Sequence, residues 1–328
     1  MAAFILRRLA QSIIVMLVVG LVAFFMFQFL GDPVNQMVGV DTPVAEREAL
    51  RERLGLNDPL IIRFGKFVVN AAQLEFGLSY QHKSPVTDLL LERMPATIEL
   101  SMVSAVIAFA LALPAGVYTG LYRNRWSSKA MLTLSLIGIS VPTFLIGILF
   151  IYLFAVVLGW LPSFGRGDVV TLPGGWTTGL LTASGLKAII LPALTLGLFT
   201  LTLIMRLIRA EMLEVLRTDY IKFARARGLT NRAVNFGHAL KNTLVPVITV
   251  TGLLLGNLIA FAIITESVFQ WPGMGRLFLQ SIQEVDLPVM SAYLVMISFL
   301  FVVLNLVVDI LYYVVDPRLR VEGHGSGH

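Results

Sequence analysis

The residue types that could carry out catalysis are few in this chain and lie far apart in its sequence. The chain has no cysteine, and its four histidines are His82, His238, His324 and His328. That spacing suits neither a metal site nor a catalytic base paired with a nucleophile. The sequence also lacks an H-E-x-x-H zinc motif, a G-x-S-x-G nucleophile turn and the phosphate-binding pattern G-x-x-x-x-G-K-[ST]. We therefore predict no enzyme, no metal site and no bound cofactor in this chain.

The composition is that of a membrane protein. Hydrophobic residues make up 57% of the chain and charged residues only 14%, whereas a soluble domain carries about 25% charged residues. A formal net charge of +5 would suggest a nucleic-acid partner for a soluble chain. Here the basic residues flank apolar runs, so membrane topology explains them better. We expect the lipid bilayer as a partner and no nucleic acid.

Six apolar runs are long enough to cross a bilayer. Arg7 and Arg8 precede the first run, and Arg318 and Arg320 follow the last, so both termini are predicted to be cytoplasmic. The uncharged segment 169–186 is rich in Gly, Thr and Pro, which indicates an external loop instead of a span. We predict an all-α polytopic protein with one transmembrane domain over residues 1–320, a tail at 321–328, and spans at residues 9–31, 100–122, 130–158, 188–208, 243–265 and 287–314.

The long interval of residues 32–99 is expected on the outer side of the membrane. Apolar residues recur at helical spacing from Leu60 to Ala71, which predicts an amphipathic helix. Such a helix either lies on the membrane surface or packs on the spans, and packing is favoured. A further short helix is predicted from Ser84 to near Pro95.

Several small or polar residues fall inside the predicted spans. Pro142 predicts a kink in the third span. Ser140 and Asn257 either line a solute path or bond a neighbouring helix. Two G-x-x-x-G pairs predict close helix packing, within the chain more than between chains; they are Gly116 with Gly120 and Gly252 with Gly256.

The polar interval of residues 206–242 separates the fourth and fifth spans. It contains a predicted short helix that Thr218 or Asp219 caps at its start. Gly228 would end this helix in the left-handed conformation that other residues resist. The residues expected to meet another surface are small or basic: Ala224, Ala226, Lys222, Arg225 and Arg227.

This interval resembles the cytoplasmic loop of ABC-importer permeases. The sequence DYIKFARARGL, followed by HALKNTLVPV from His238, is close to the form found in the branch that imports dipeptides, oligopeptides, nickel and related solutes. A solvated basic loop is the plainer interpretation, but the Ala/Gly pattern and its spacing to Pro246 favour the resemblance. It implies that ATPase subunits couple to Asp219, Tyr220, Ala224, Arg225, Ala226, Arg227 and Gly228.

The segment ESVFQWPGMGRLF, from Glu266 to Phe278, resembles a second signature of the same branch. As a plain structural element it is a tight turn with Trp271 at the bilayer interface. The resemblance implies an outer gate or a surface that receives a solute-binding protein. The residues concerned are Glu266, Phe269, Trp271, Pro272, Gly273 and Arg276.

The resemblance extends over nearly the whole chain and implies the type I permease fold of ABC importers. It further implies a bacterial inner-membrane location, a second homologous permease, two ATPase subunits that bind ATP and Mg, and a solute-binding protein. Dipeptides, oligopeptides, glutathione, opines, nickel and oligosaccharides all fit this branch as solutes.

Two other classes of membrane protein are alternatives for such a chain. A secondary transporter would need ionisable residues near the bilayer midplane, and an intramembrane enzyme would need a nucleophile with its base. The predicted spans offer neither. Asp309 lies near the end of the sixth span, where a structural partner among the arginines of residues 206–242 is expected.

Overall fold

The computed structural model describes residues 2–29, 34, 42–53 and 57–315. These residues are mostly helical, with one short hairpin. In chain order the elements are α1 (Ala2–Phe29), α2 (Val44–Arg53), α3 (Leu60–Ala72), α4 (Val86–Leu121), α5 (Trp126–Ser135), α6 (Ile137–Ser140), α7 (Thr143–Phe150, continued by π-helix at Ile151–Val157), β1 (Val170–Thr171), β2 (Thr177–Thr178), α8 (Ala183–Val215), α9 (Asp219–Ala226), a π-helix (Ala233–Ala239), α10 (Leu240–Val268), α11 (Met274–Glu284) and α12 (Leu287–Val315).

Five helices are long and apolar enough to cross a membrane, and a bent helix pair brings the number to as many as six. This confirms the predicted all-α membrane fold. The five single candidates are Leu6–Met26, Val86–Leu121, Ala183–Val215, Pro246–Val268 and Leu287–Ile310.

The third predicted span, residues 130–158, is broken where a kink was expected. The helices Trp126–Ser140 and Thr143–Val157 meet at 111°. Val141 is extended, with φ −97° and ψ 130°, because the ring of Pro142 disfavours helical backbone in the residue before it. The predicted kink at Pro142 is therefore confirmed, and the bend is sharp enough to divide the segment into two helices.

The second span differs from its prediction in where its helix begins. A short helix ending near Pro95 was expected, but α4 continues from Val86 through Pro95 to Leu121. A proline inside a helix costs about 3 kcal/mol. Leu90, Ala96 and Leu100 are all fully buried on either side of Pro95, and their burial outweighs that cost.

The predicted external loop at residues 169–186 forms a hairpin. Val170 pairs with Thr178 and Thr171 with Thr177 in antiparallel register. Thr182 then caps α8, because its hydroxyl accepts a hydrogen bond from the Gly185 N–H at 3.0 Å. The helix therefore starts earlier than the predicted span 188–208 and runs on to Val215.

The described chain divides into two compact units. The first combines Met1–Pro95 with Pro272–Val303, and the second combines Ala96–Trp271 with Leu304–His328. In the first unit, α11 packs on α12 through Met274, Leu277, Val289 and Tyr293. In the second, α8 packs along α4 and α10 through Ala112, Ile204, Ile208 and Val247. One domain over residues 1–320 stays a prediction.

Two of the predicted glycine contacts lie between helices of the same chain. A Cβ atom at Gly116 would stand 2.6 Å from the Ile208 Cβ and 2.8 Å from the Met205 carbonyl oxygen. One at Gly252 would stand 1.9 Å from Cγ1 of Val308. These glycines let neighbouring helices approach closely, as predicted from the G-x-x-x-G pairs.

Gly116→Ala should destabilise the second unit. Its methyl group would overlap the backbone of α8, and overpacking of this kind typically costs about 1–3 kcal/mol. We expect a lower melting temperature for the detergent-solubilised protein. Gly65→Ala is the matched control, because a Cβ there meets no atom within 4 Å. Equal melting temperatures for Gly116→Ala and the unmodified chain would contradict the close contact.

Candidate functional site

The predicted short helix between the fourth and fifth spans is present as α9. Thr218, with φ −66° and ψ 154°, is the last extended residue before it. The Thr218 hydroxyl does not cap the helix but donates to the Val215 carbonyl oxygen at 2.6 Å. Asp219 begins the first turn, where a negative charge suits the helix dipole, and its carboxylate accepts a bond from Lys222 Nζ at 2.8 Å.

One face of α9 is buried against the rest of the chain, and the other is exposed to solvent. Ile221 is fully buried and Ala224 is 7% exposed; both join Met212 of α8 and Val234 in one apolar cluster. Sequence analysis expected Ala224 to face a partner, and this was wrong because the alanine fills the contact with its own chain. The outward residues are Tyr220, Lys222, Phe223, Arg225, Ala226 and Arg227.

Gly228 ends α9 in the way that was predicted. Its φ is +79°, a left-handed conformation that glycine adopts without steric cost. The Gly228 N–H donates to the Arg225 carbonyl oxygen at 2.9 Å, and the Leu229 N–H donates to that of Ala224 at 3.3 Å. These two bonds form a Schellman motif, which satisfies carbonyl groups that the helix end would leave open.

The chain then returns directly into the next helix. Thr230 accepts a bond from the Ala233 N–H at 3.3 Å, as expected for the predicted second cap. Asn242 Nδ2 donates to the Tyr220 hydroxyl at 2.5 Å, which ties the first turn of α9 to the start of α10. The helix is thus held at both ends and along one face.

The exposed face of α9 combines aromatic and basic groups. Phe223 is 64% exposed and Tyr220 41%, and the Arg227 guanidinium lies 5.8 Å from the centre of the Phe223 ring. Aromatic residues and arginine are enriched where proteins bind other proteins. The exposed face of α9 therefore suits the docking of a partner protein more than catalysis.

The second predicted site, residues 266–278, is shared by the two compact units. Residues 266–271 belong to the second unit and residues 272–278 to the first. Glu266, Phe269 and Trp271 are at most 1% exposed. The Trp271 indole N–H donates to the Ala96 carbonyl oxygen at 2.9 Å, and Glu266 accepts a bond from the Thr97 hydroxyl at 2.6 Å. Placing Trp271 at the bilayer interface was therefore wrong: the indole is a core group whose single donor is satisfied inside the protein.

A buried ion pair that sequence analysis missed lies in the same unit. Arg166 donates to the Glu99 carboxylate at 2.7 Å, with both side chains almost inaccessible to solvent. Arg166 also donates to the Thr177 carbonyl oxygen at 2.7 Å, and the Gly179 N–H donates to Glu99 at 3.2 Å. Glu99 and Arg166 are 67 residues apart, and Arg166 has Asp168 as a nearer acidic residue in the sequence, so no sequence pattern indicated this pair.

The remaining signature residues belong to the first unit. Gly273 is buried and precedes α11, while Pro272 and Arg276 are half-buried.

A buried carboxylate outside the signature also lies in the first unit. The Asp286 carboxylate accepts a bond from the Ser79 hydroxyl at 2.5 Å. Burial, and secondarily the nearby Asp286 charge, raises the pKa of Tyr80 to about 12. The Tyr80 phenol is thus neutral at physiological pH.

The two residues proposed to line a solute path lie on separate helices. Ser140 ends α6 at the break in the third span, and Asn257 lies midway along α10; both are exposed in this chain. Their role in a path stays a prediction, as does the partnership of Asp309 with an arginine. Within the described ranges no group of three His, Asp or Glu side chains could hold a metal ion.

Comparison with known proteins gives matches over nearly the whole chain. Residues 112–321 match the family described as binding-protein-dependent transport system inner membrane component, and residues 1–101 match that family's N-terminal model. A putative peptide transport system permease protein of Brucella abortus (strain 2308) is 38% identical over 327 residues, covering 98% of this chain and all of the relative.

Two further matches are informative. The glutathione transport system permease protein GsiC of Escherichia coli (strain K12) is 36% identical over 323 residues, covering 98% of this chain and all of the relative. A structure of the MetNI methionine ABC transporter in an inward-facing conformation superposes with a TM-score of 0.54 at 20% identity. The superposition covers 70% of this chain and 96% of the matched chain in that structure, which shows a shared fold.

Substitutions of Glu99 and of Arg166 should have strongly non-additive effects on the stability of the protein. Arg166→Met leaves a buried carboxylate and Glu99→Gln a buried guanidinium, each destabilising by about 3–5 kcal/mol. The double variant Glu99→Gln/Arg166→Met should lose much less stability than the sum of the losses in the two single variants. Thermal unfolding in detergent measures all three.

The exposed pair of Lys66 with Asp58, whose side chains are 63% and 36% accessible, provides the control for this cycle. Lys66→Met should leave the melting temperature nearly unchanged, because water screens surface ion pairs. Strictly additive losses at positions 99 and 166 would show that the two charges are not a pair.

Proposed function

The chain belongs to the family of inner membrane components of binding-protein-dependent transport systems, and we propose that α9 is the helix on which ATPase subunits dock. The chain is the permease subunit of an ATP-driven ABC importer and is not itself an enzyme. Hydrolysis of ATP, with its Mg, is assigned to the partner subunits. The secondary transporter and intramembrane enzyme alternatives lose their support with this assignment.

The observation that carries the docking proposal is the two-sided environment of α9. Its inner face, Ile221 and Ala224, is packed with Met212 and Val234, so a rigid displacement of α9 has to move the ends of α8 and α10 with it. Its outer face offers Phe223 and Tyr220 to a partner. Closure of the ATPases would thereby rock the attached spans between inward- and outward-open states.

The other partners follow from the family resemblance. A second homologous permease would complete the path, and a solute-binding protein would deliver the solute from outside. If residues 266–278 receive that protein, the buried Trp271 and Phe269 hold the turn in shape, while exposed residues such as Ser267 and Gln270 make the contact. The gate residues would then act through the backbone that they position.

Peptides are the solute class that the relatives support best. The Brucella relative is named for peptide transport and the Escherichia coli relative for glutathione, itself a short peptide. Their similarity covers 98% of this chain in each case, so the parts that form the path are included. We propose short peptides or closely related solutes as the cargo.

We place the chain in the bacterial inner membrane with both termini in the cytoplasm. Residues 206–242 then face the cytoplasm, and residues 31–99, 160–187 and 266–286 face outward. The distribution of lysine and arginine supports this orientation.

Labelling of single cysteines tests the orientation, since the chain has no native cysteine. A cysteine at the exposed Asn231 should resist a membrane-impermeant maleimide in intact cells and react after the membrane is opened. A cysteine at Val169, which is 44% exposed, should react in both conditions. Labelling of the Asn231 variant in intact cells would reverse the map.

Gly228→Val tests the docking role. A non-glycine residue in the left-handed conformation costs about 1–2 kcal/mol, and a β-branched one more. The end of α9 should therefore be displaced while the spans still insert. We expect normal accumulation in the membrane, reduced co-purification of the ATPase subunits and loss of uptake.

Gly237→Ala is the matched control, because a Cβ at either glycine meets no atom within 4 Å and only Gly228 has a positive φ. The control should retain uptake. Full ATPase recovery with normal uptake in Gly228→Val would mean that this stretch is not the coupling element.

A further inference from the structure

The helix α3, in the segment between the first two spans, has three distinct sides. At 100° per residue, Phe64, Phe67 and Ala71 share one side, Arg63, Lys66 and Asn70 share a second, and Ile61, Gly65 and Val69 share a third, with Ile62 beside it. A helix that only packed on a protein core would need one apolar side. In this helix the first and third sides adjoin through Val68, so the apolar surface extends around most of the helix and leaves only a narrow polar strip.

The first side of α3 packs on the first span. The Phe24 ring lies 5.5 Å from the Phe64 ring and 5.9 Å from the Phe67 ring, centre to centre. Phe67 also lies over Gly20, where an added Cβ would stand 3.8 Å from its ring. This contact confirms the prediction that α3 packs on a span, and it defines the level at which α3 lies.

That level is inside the apolar part of the first span. Gly20 and Phe24 both fall within the candidate span Leu6–Met26. At 1.5 Å per residue, they lie about 9 Å and 3 Å before its end at Met26. On the same stretch of α1, Leu21, Val22 and Phe25 are exposed. Lipid chains would cover those residues in a membrane.

The third side of α3 adds to that apolar surface. Ile61 is 86% exposed, Val69 55% and Ile62 50%. Exposure of this size on a helix fixed at membrane depth needs an apolar environment. The polar strip instead carries Lys66, which bonds Asp58 at 2.6 Å and is 63% accessible, and Arg63, whose guanidinium lies 5.9 Å from the centre of the Phe24 ring. Basic groups at this level suit the phosphate groups of lipid headgroups.

We propose that α3 is an interfacial membrane helix, embedded in the leaflet that holds the C-terminal end of α1. Ile61, Ile62 and Val69 lie among the upper acyl chains, and the strip of Arg63, Lys66 and Asn70 faces the headgroups and water. The outer segment is thereby anchored to the bilayer as well as to the first span. The partner of this surface is phospholipid and not another protein.

Spin labels attached to single cysteines test this placement. The full-length permease, purified with its partner subunits, is reconstituted in vesicles of phosphatidylethanolamine and phosphatidylglycerol. Cysteines replace Ile61, Val69 or Asn70 in separate variants. Labels at Ile61 and Val69 should collide more with oxygen, which concentrates in lipid, than with a water-soluble nickel chelate. The label at Asn70 should show the reverse order.

Asn70 is the matched control, because it lies on the same helix one residue from Val69. If Ile61→Cys fails to insert, Ile62→Cys takes its place on the same side. Greater access of nickel at Ile61 and Val69 would put that side in water and overturn the proposal. Shielding from both reagents would show a protein contact and overturn it equally. The measurement needs no transport, so its outcome is independent of the docking role of α9.

Discussion

Inside a bilayer every backbone N–H and C=O group must be bonded within the protein, because lipid offers no alternative partner. This constraint accounts for the length of the helices. Each of α4, α8, α10 and α12 has between 29 and 36 residues, and prolines within them, such as Pro192 and Pro246, do not end them. Among the described candidate spans, the bent pair is broken at Pro142, where the preceding residue is forced out of helical geometry. Apart from the π-helix at Ile151–Val157, the non-α backbone of the described residues lies mainly in the connections, and these carry the surfaces available to partners.

Backbone that is buried within the protein outside the bilayer also needs bonding partners, and the two polar connections of the second unit meet this need in different ways. Where the backbone leaves helical geometry near residues 165–182, a charged pair satisfies it: Arg166 bonds the Thr177 carbonyl, and Glu99 accepts from the Gly179 N–H. A buried ion pair gains little net stability over apolar residues, so its consequence is the fixed position of the hairpin. At the opposite connection, α9 is fixed by apolar burial and a Schellman motif, which leaves its charges outward.

The features that could be predicted from sequence are those with a local cause. Gly228 was identified because a left-handed helix end favours glycine wherever it occurs, and the break at Pro142 follows from the proline ring itself. Pro95 was misjudged because burial of residues distant in sequence overrides a local helix-ending signal. Trp271 was misplaced for a related reason: its amphipathic character suits an interface, but its indole partner, the Ala96 carbonyl, is 175 residues away. The pair of Glu99 and Arg166, 67 residues apart, has no local signal.

Different residues of α9 fix it to its own chain and remain available to a partner. The contact of Ile221 and Ala224 with Met212 and Val234 is buried, so it is close-packed and transmits displacement without being screened by salt. The pair of Lys222 with Asp219 is 67% and 95% accessible, and such pairs add little to stability. The exposed charges are therefore not needed for the fold of the helix and are available to a partner. A short helix of this construction can change its docking residues while keeping the apolar contact that moves the spans.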